Sequence, residues 1–460
     1  MLETLGNTFR VPDLRRRLLI TVLLLCVCRV GVYIPIPGAD MTVAKRHFDR
    51  PFEGDAAEGG VMALIDMFSG GALWQAAVFG LGIMPYISAS IIFQLLASVI
   101  PALEKMQKEG EAGRRKINQY TRYATVVLCL VQAAIMIASL KGGGQGGEGI
   151  FPADFGFGST LMAALLMTAG TMLLMWIGEQ IDEFGIGNGI SLIIMINIIS
   201  RMPTAIRYLY DKFEFTLEPD ASRPLGIQHM ALLVALFIFV NVAIILITQG
   251  QRRIPFQQAK QMRGRRVYGG VKHYLPLQVN SAGVIPIIFA QSLLMFPSIF
   301  VTAAARKFET DWDSPFFYRF FEMLRNGLQM GSFVYEALYV GLIFFFCYFW
   351  TAIQFNPTDM ANNLRDHGSF IPGYRPGKRT ADYLENVMTR ITLPGAAFLS
   401  IVAVAPSLMY RSLNLPWVIT SFYGGTGLLI VVGVALDLVK KIEQQLLMRH
   451  YDGFTRRRRH

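Results

Sequence analysis

Between residues 72 and 101 the chain carries no charged side chain, and near the middle of that run stand Gly82-Ile83-Met84-Pro85. About 20 consecutive apolar residues cover the hydrocarbon core of a bilayer, so the run is long enough to cross one. Glycine and proline weaken a helix at its centre, and polar Ser88, Ser90 and Gln94 follow. The pattern returns at Gly283-Val284-Ile285-Pro286, where Ile287-Ile288-Phe289 and Gln291 parallel Ile91-Ile92-Phe93-Gln94 of the first copy. Paired interruptions of membrane segments in corresponding places of two halves point to a substrate path at the midplane. Proline-kinked packing helices leave the same trace.

Composition places the chain in a membrane. Of its 460 residues 53% are hydrophobic and 16% charged, against about 25% charged in soluble domains. The net charge of +11 reads first as topology and lipid contact, because basic residues gather on the cytoplasmic side. Ribosomal RNA is a second partner for a basic loop. Cys26, Cys28, Cys129 and Cys347 all lie in apolar runs without metal-ligand spacing, and read as small core residues. The first apolar run follows Arg15-Arg16-Arg17 but has no small-residue cleavage site, so it reads as a retained span.

Ten segments are expected, at 18–35, 72–101, 123–140, 161–177, 186–199, 230–247, 284–301, 334–353, 391–408 and 428–439. The fifth and tenth are short and follow glycine-rich approaches, which suits buried or cavity-lining pieces. Basic residues fill alternate loops: Lys105 to Arg122 between segments two and three, Arg252 to Lys272 between six and seven, Arg365 to Arg390 between eight and nine. The other loops are poorer, with Lys141 alone after the third segment and Arg411 alone after the ninth. Both termini are therefore expected in the cytoplasm. The loop 179–189 carries Asp182 and Glu183 and no basic residue, but acidic residues contribute little to topology. The Gly-x-x-Pro segments are numbers two and seven. An odd offset runs them in opposite directions, the arithmetic of two inverted five-span halves. The fold expected is an all-α polytopic membrane protein of ten transmembrane helices.

The residues exclude several chemistries. All six histidines fall in loops or the tail, no His/Glu helix motif appears, and no Gly-x-x-x-x-Gly-Lys-Ser/Thr is present. Neither an enzyme nor a bound cofactor is expected. Coupled transporters bury ionisable groups at mid-membrane. Here Arg29 alone lies deep in a segment, and snorkelling toward the far interface accounts for it. Ile83 and Ile87, and Ile190 and Ile194, are four apart, so each pair stacks on one helical face. Rings of stiff aliphatic side chains can close a pore by dewetting, although isoleucines also pack or face lipid.

Several motifs occur in fixed order: Ile34-Pro35-Ile36-Pro37-Gly38, Met67-Phe68-Ser69-Gly70-Gly71-Ala72-Leu73, Gly82 to Ile91, Gly113-Arg114-Arg115-Lys116 and Gly178-Glu179-Gln180. They continue with Gly185-Ile186-Gly187-Asn188-Gly189-Ile190-Ser191, Leu275 to Asn280, Ala282 to Pro286 and Gly373-Tyr374-Arg375-Pro376-Gly377. Through them the chain resembles the SecY/Sec61 alpha family of protein translocases nearly end to end. The resemblance implies a central hourglass pore between an N-terminal half (1–200) and a C-terminal half (228–445). These are joined by an external connection (201–227), and a basic cytoplasmic tail (446–460) follows. It implies a pore ring at Ile83, Ile87, Ile190, Ile194, Ile288 and Ile430. A plug falls at about 61–71, with Ile65, Asp66, Met67, Phe68 and Ser69 and a hinge at Gly70-Gly71. A lateral gate lies between segments two and seven, for which Gln94, Gln132 and Asn280 are candidate polar groups; buried amides also pack helices. Arg263, Arg265, Arg266 and Arg375 match loops that dock the SecA ATPase or a translating ribosome, and plain topology explains the first three equally well. SecE and SecG are implied partner subunits, unfolded preproteins with signal peptides the substrates, and the cytoplasmic membrane the site. Asp182-Glu183 departs from the family, whose members often place a basic residue there. The rival reading is a secondary transporter of small solutes, which also uses inverted repeats.

Overall fold

The computed structural model describes residues 11–44, 65–141, 150–152, 155–213, 226–258, 261–263, 266–268, 272–311, 315–329, 331–413, 420 and 425–456. The first half holds α1 (Pro12–Gly31), α2 (Met84–Val99), α3 (Pro101–Lys108), α4 (Glu111–Leu140), α5 (Phe157–Phe184) and α6 (Gly189–Lys212). The second holds α7 (Ile227–Gln249), α8 (Ile285–Asp311), α9 (Pro315–Gly327), α10 (Phe333–Gln354), α11 (Pro357–Asp366), α12 (Lys378–Leu413) and α13 (Thr426–Arg456). Among the described residues seven helices are long and apolar enough to cross a membrane, and the bent pair α2–α3 makes an eighth. The two other expected segments are also helical, as α1 and α13. They carry Arg15, Arg16, Arg17 and Arg29 in one case and Asp437, Lys440, Lys441 and Glu443 in the other, which lowers their apolar character.

Segment two is shorter than expected. Residues 72–83 are turns, and the helix starts at Met84. Gly82 sits at φ +59°, in the left-handed region that glycine occupies without a Cβ clash. Pro85 then lies in the first helical turn, where its fixed φ suits the helix and its missing N–H costs nothing. The second copy has the same local geometry, with Gly283 at φ +63° and Pro286 as the second residue of α8. The turns are held to the chain after α1, since Val78 N–H donates to the Ile34 carbonyl at 2.9 Å and Ile36 N–H to that of Ala76 at 2.8 Å. At the far end of α2, Ile100 is extended before Pro101, as a residue preceding proline prefers, and the chain turns 104° into α3.

The fifth and tenth segments are longer than expected. α6 continues through Pro203 to Lys212, into the stretch assigned to the connection, and α13 continues to Arg456, into the stretch assigned to the tail. The glycine-rich approach to α6 is a built turn. Asp182 Oδ1 accepts from Gly189 N–H at 2.7 Å, and Asn188 caps α6 by accepting from Ser191 N–H at 3.0 Å. The acidic departure noted in the sequence thus closes the α5–α6 turn, while Glu179 pairs with Arg122 of α4 at 2.7 Å. A Cβ on Gly189 would lie 2.0 Å from the Gly178 carbonyl oxygen, so backbone must yield. Gly189→Ala is expected to cost about 1–3 kcal/mol through overpacking, read as a lower melting temperature in detergent. Gly158→Ala, where nothing lies within 4 Å, should not lower it.

Packing repeats between halves. α2 packs on α4, α4 on α5, α5 on α6 and α1 on α6; correspondingly α8 packs on α10, α10 on α12, α12 on α13 and α7 on α13. The halves meet where α8 touches α2 and α4, and again where α6 touches α13. One apolar core runs through both.

The basic loops contain strands. β1 (Gln251–Gln258) pairs antiparallel with β4 (Lys272–Gln278), from Gln251↔Gln278 to Gln257↔Lys272. β5 (Ser369–Phe370), from the loop after α11, adds to the other edge of β1. A second hairpin pairs β2 (Gln261–Arg263) with β3 (Arg266–Tyr268). Ile254 and Leu277 of the larger sheet pack with Ile371 and with Leu384 of α12.

Candidate channel site

The local geometry of the two Gly-x-x-Pro breaks places their isoleucines. Ile83 precedes the first residue of α2 and Ile87 lies one turn on, with Ile87 N–H bonded to the Ile83 carbonyl at 3.2 Å. Ile288 occupies the first turn of α8, Ile190 and Ile194 the first two turns of α6, and Ile430 the first turns of α13. Ile83, Ile87, Ile194, Ile288 and Ile430 are buried in the core shared by the two halves, and half-buried Ile190 packs against that core.

Residues 65–69 form one helical turn, followed by Gly70 at φ +67° and Gly71 at φ +95°. Residues 61–64 of the expected plug lie outside the described residues. Ile65, Met67 and Phe68 join the same core as the isoleucines. So short a turn leaves backbone carbonyls without helical partners, and buried carbonyls need donors. α6 and α1 supply them: Asn197 Nδ2 donates to the Phe68 carbonyl at 2.8 Å and Arg29 Nη1 to that of Gly70 at 3.3 Å, with Ser200 Oγ 3.5 Å from the same oxygen. Arg29 therefore does not snorkel to an interface. It is drawn inward by a carbonyl that the left-handed glycines expose. A Cβ on Gly70 would come within 2.7 Å of Arg29 Nη1, so glycine is what permits this approach.

Beside these contacts lies a buried ion pair. The Arg201 guanidinium of α6 bonds the Asp66 carboxylate, at 4% and 1% exposure respectively. Neither Arg201 nor Asn197 stands out in the sequence as a functional residue. Arg201 looked like the first residue of a loop, and only its place one turn beyond Asn197 on a continued helix carried a signal.

The candidate gate amides are less closely defined. Gln94 lies on α2 and Gln132 on α4, helices that touch each other and α8, and Asn280 lies in the turn before α8. Gln94 Oε1 and Gln132 Nε2 are shielded from solvent and have no hydrogen-bond partner among the described residues. Gln291, not among the candidate gate amides, links α8 to Thr426 of α13 through Nε2 at 3.4 Å.

Arg375 is exposed in a turn between Gly373 at φ +91° and Gly377 at φ +107°, where Tyr374 stacks on Tyr383 with ring centres 4.2 Å apart. Arg263 and Arg266 are strand partners flanking the β2–β3 turn, and Arg265 lies outside the described residues. Pairing of Gln257 with Phe370 brings the two basic loops into one sheet.

A family model described as SecY matches residues 77–439. The protein translocase subunit SecY of Mycobacterium bovis is 42% identical, covering 99% of this chain and all of the relative. That of Thermotoga maritima is 39% identical over 99% of this chain and 98% of its own length. Among solved structures, a protein-conducting channel superposes with a TM-score of 0.62 at 18% identity, covering 94% of this chain and 92% of that one. Sec61 in a canine ribosome–channel complex from the endoplasmic reticulum gives 0.58 at 16%, with the same coverage. With a model matching most of its length and full-length relatives near two-fifths identical, the chain belongs to the SecY family.

Proposed function

We propose that this chain is the channel subunit of a protein translocase, passing unfolded secretory polypeptides across the cytoplasmic membrane and apolar segments sideways into it. The observation that carries the reading is one apolar core, running through both halves, that takes in the six isoleucines of four helical elements together with Ile65, Met67 and Phe68 of the turn at 65–69. The isoleucines form the constriction. A ring without hydrogen-bonding groups excludes water and ions when empty, and grips any passing side chain without selecting among sequences. Residues 65–71 are the plug, latched by Asn197, Arg201 and Arg29. The α2–α8 contact is the lateral gate, and the shielded amides of Gln94 and Gln132, with Asn280, are groups whose exposure changes when it parts.

The relatives are named translocase subunits, and two of the solved neighbours stand in complexes with ribosomes, Sec61 in one and Ssh1 in the other. We extend those roles here. The turn at Arg375 and the hairpin carrying Arg263 and Arg266 form the cytoplasmic docking face for SecA or a ribosome, and SecE and SecG complete the complex. A ribosome would meet this face as a phosphate-rich, salt-sensitive surface. Both termini lie on the same, cytoplasmic side.

Photo-crosslinking tests the path. A photoreactive group at Ile87 or Ile288, in membranes holding a stalled secretory chain, is expected to capture that chain, while one at exposed Val127 of α4 or Phe239 of α7 is not. Equal capture at all four positions would refute the assigned constriction.

A further inference from the structure

α9 lies between two membrane-crossing helices and is sharply two-faced. Phe320, Met323 and Leu324 stand at i, i+3 and i+4 on one side, and Arg319, Glu322, Arg325 and Asn326 fall on the other. The apolar side is uncovered: Met323 is 78% exposed, Phe320 50% and Leu324 39%. We infer that α9 is a membrane-surface helix, its Phe320–Met323–Leu324 face seated in the headgroup–acyl boundary of the bilayer.

Lipid is the occupant for three reasons. Connectivity confines α9 to the membrane surface, because the chain leaves α8 at Asp311 and re-enters the membrane at Phe333. The helix is also fixed there. It packs on α8 and α10, Leu328 N–H closes its last turn onto the Leu324 carbonyl at 2.9 Å, and Ser332, the cap of α10, donates its hydroxyl to the Gly327 carbonyl. Finally, exposed apolar surface continues past the joint onto α10 through Phe333, Val334 and Leu338, the side of a spanning helix that faces lipid. A short helix with a wide apolar face and a charged one opposite lies in the interface plane, with its cations near lipid phosphates. Because α9 packs on α8, and α8 meets α2, the bilayer would hold the Asp311 end of α8 and so bear on the contact between the halves.

The test uses the full chain in its complex, in phosphatidylethanolamine–phosphatidylglycerol liposomes. Met323→Cys and Asn326→Cys, each in a Cys26→Ser background, carry a nitroxide; Cys28, Cys129 and Cys347 are buried and escape labelling. Spin relaxation by apolar oxygen is compared with relaxation by a water-soluble nickel chelate. The label at 323 is expected to favour oxygen severalfold and the label at 326 to favour nickel. Dominance of nickel at both positions would place the face in water and overturn the inference. Shielding of position 323 from both relaxants would mean that protein covers it, and would overturn it equally.

Discussion

Arg201→Met is expected to raise the resting ion conductance of the reconstituted complex sharply. The substitution keeps an unbranched apolar side chain in place but removes the cation facing Asp66, whose carboxylate is 1% exposed. Breaking a buried pair from one side costs about 3–5 kcal/mol, because a charge stays buried without compensation. The turn at 65–69 can shed that cost by leaving its seat, and at about 1.4 kcal/mol per tenfold the ratio of seated to unseated forms falls by two decades or more. Asp66→Asn retains hydrogen bonding to Arg201 but removes the carboxylate charge from beside the guanidinium, so it should leak as well. The paired replacement Asp66→Leu with Arg201→Met removes both charges together, and apolar substitutes for a buried pair are often neutral or stabilising. It should therefore restore the seal. If Arg201→Met conducts like the parent while the chain stays folded, the pair is only a packing contact and the latch is wrong. If the double variant leaks as much as the single one, the cause is the lost shape of the seat and not the stranded charge.

The sequence was most informative where one residue type controls the backbone locally. Gly82 and Gly283 mark the two breaks because only glycine takes φ near +60° without strain, and each is followed by a proline that starts a helix. Long uncharged runs located the crossing segments, but apolarity reports solvent and not backbone conformation. Hence residues 72–83 look like helix and are turns. The fifth and tenth segments look short for the converse reason: Arg201 and the charges from Lys440 onward read as loop, while the helices run on through them. Pairings distant in sequence left no trace. Asp66 and Arg201 are 135 positions apart, and β5 joins β1 through Gln257 and Phe370. Arg29 was visible as an oddity, yet its partner is a backbone carbonyl, and every residue has one.

The second large effect is expected at the constriction. Ile83→Ser combined with Ile430→Ser places two hydroxyls in the apolar core, at positions with no exposed surface. Each hydroxyl can bond a water, and a constriction closed by dewetting opens to water once its walls offer such bonds. The resting conductance should rise even with the plug seated, and more than additively with Arg201→Met if ring and plug are separate barriers in series. Ile83→Leu with Ile430→Leu keeps volume and apolarity, costs under about 1.5 kcal/mol each, and should stay sealed. Ile→Ala at the same sites removes packing worth about 2–5 kcal/mol each, so a lower melting temperature is expected whichever role the residues have. Conductance is what separates the two roles. An isoleucine that only fills a core, replaced by serine, destabilises the fold and leaves the membrane tight. One that lines a constriction admits ions at temperatures where the protein is still folded. Serine variants that melt early but do not conduct would return these residues to the core and leave the channel to be sought along another part of the interface between the halves.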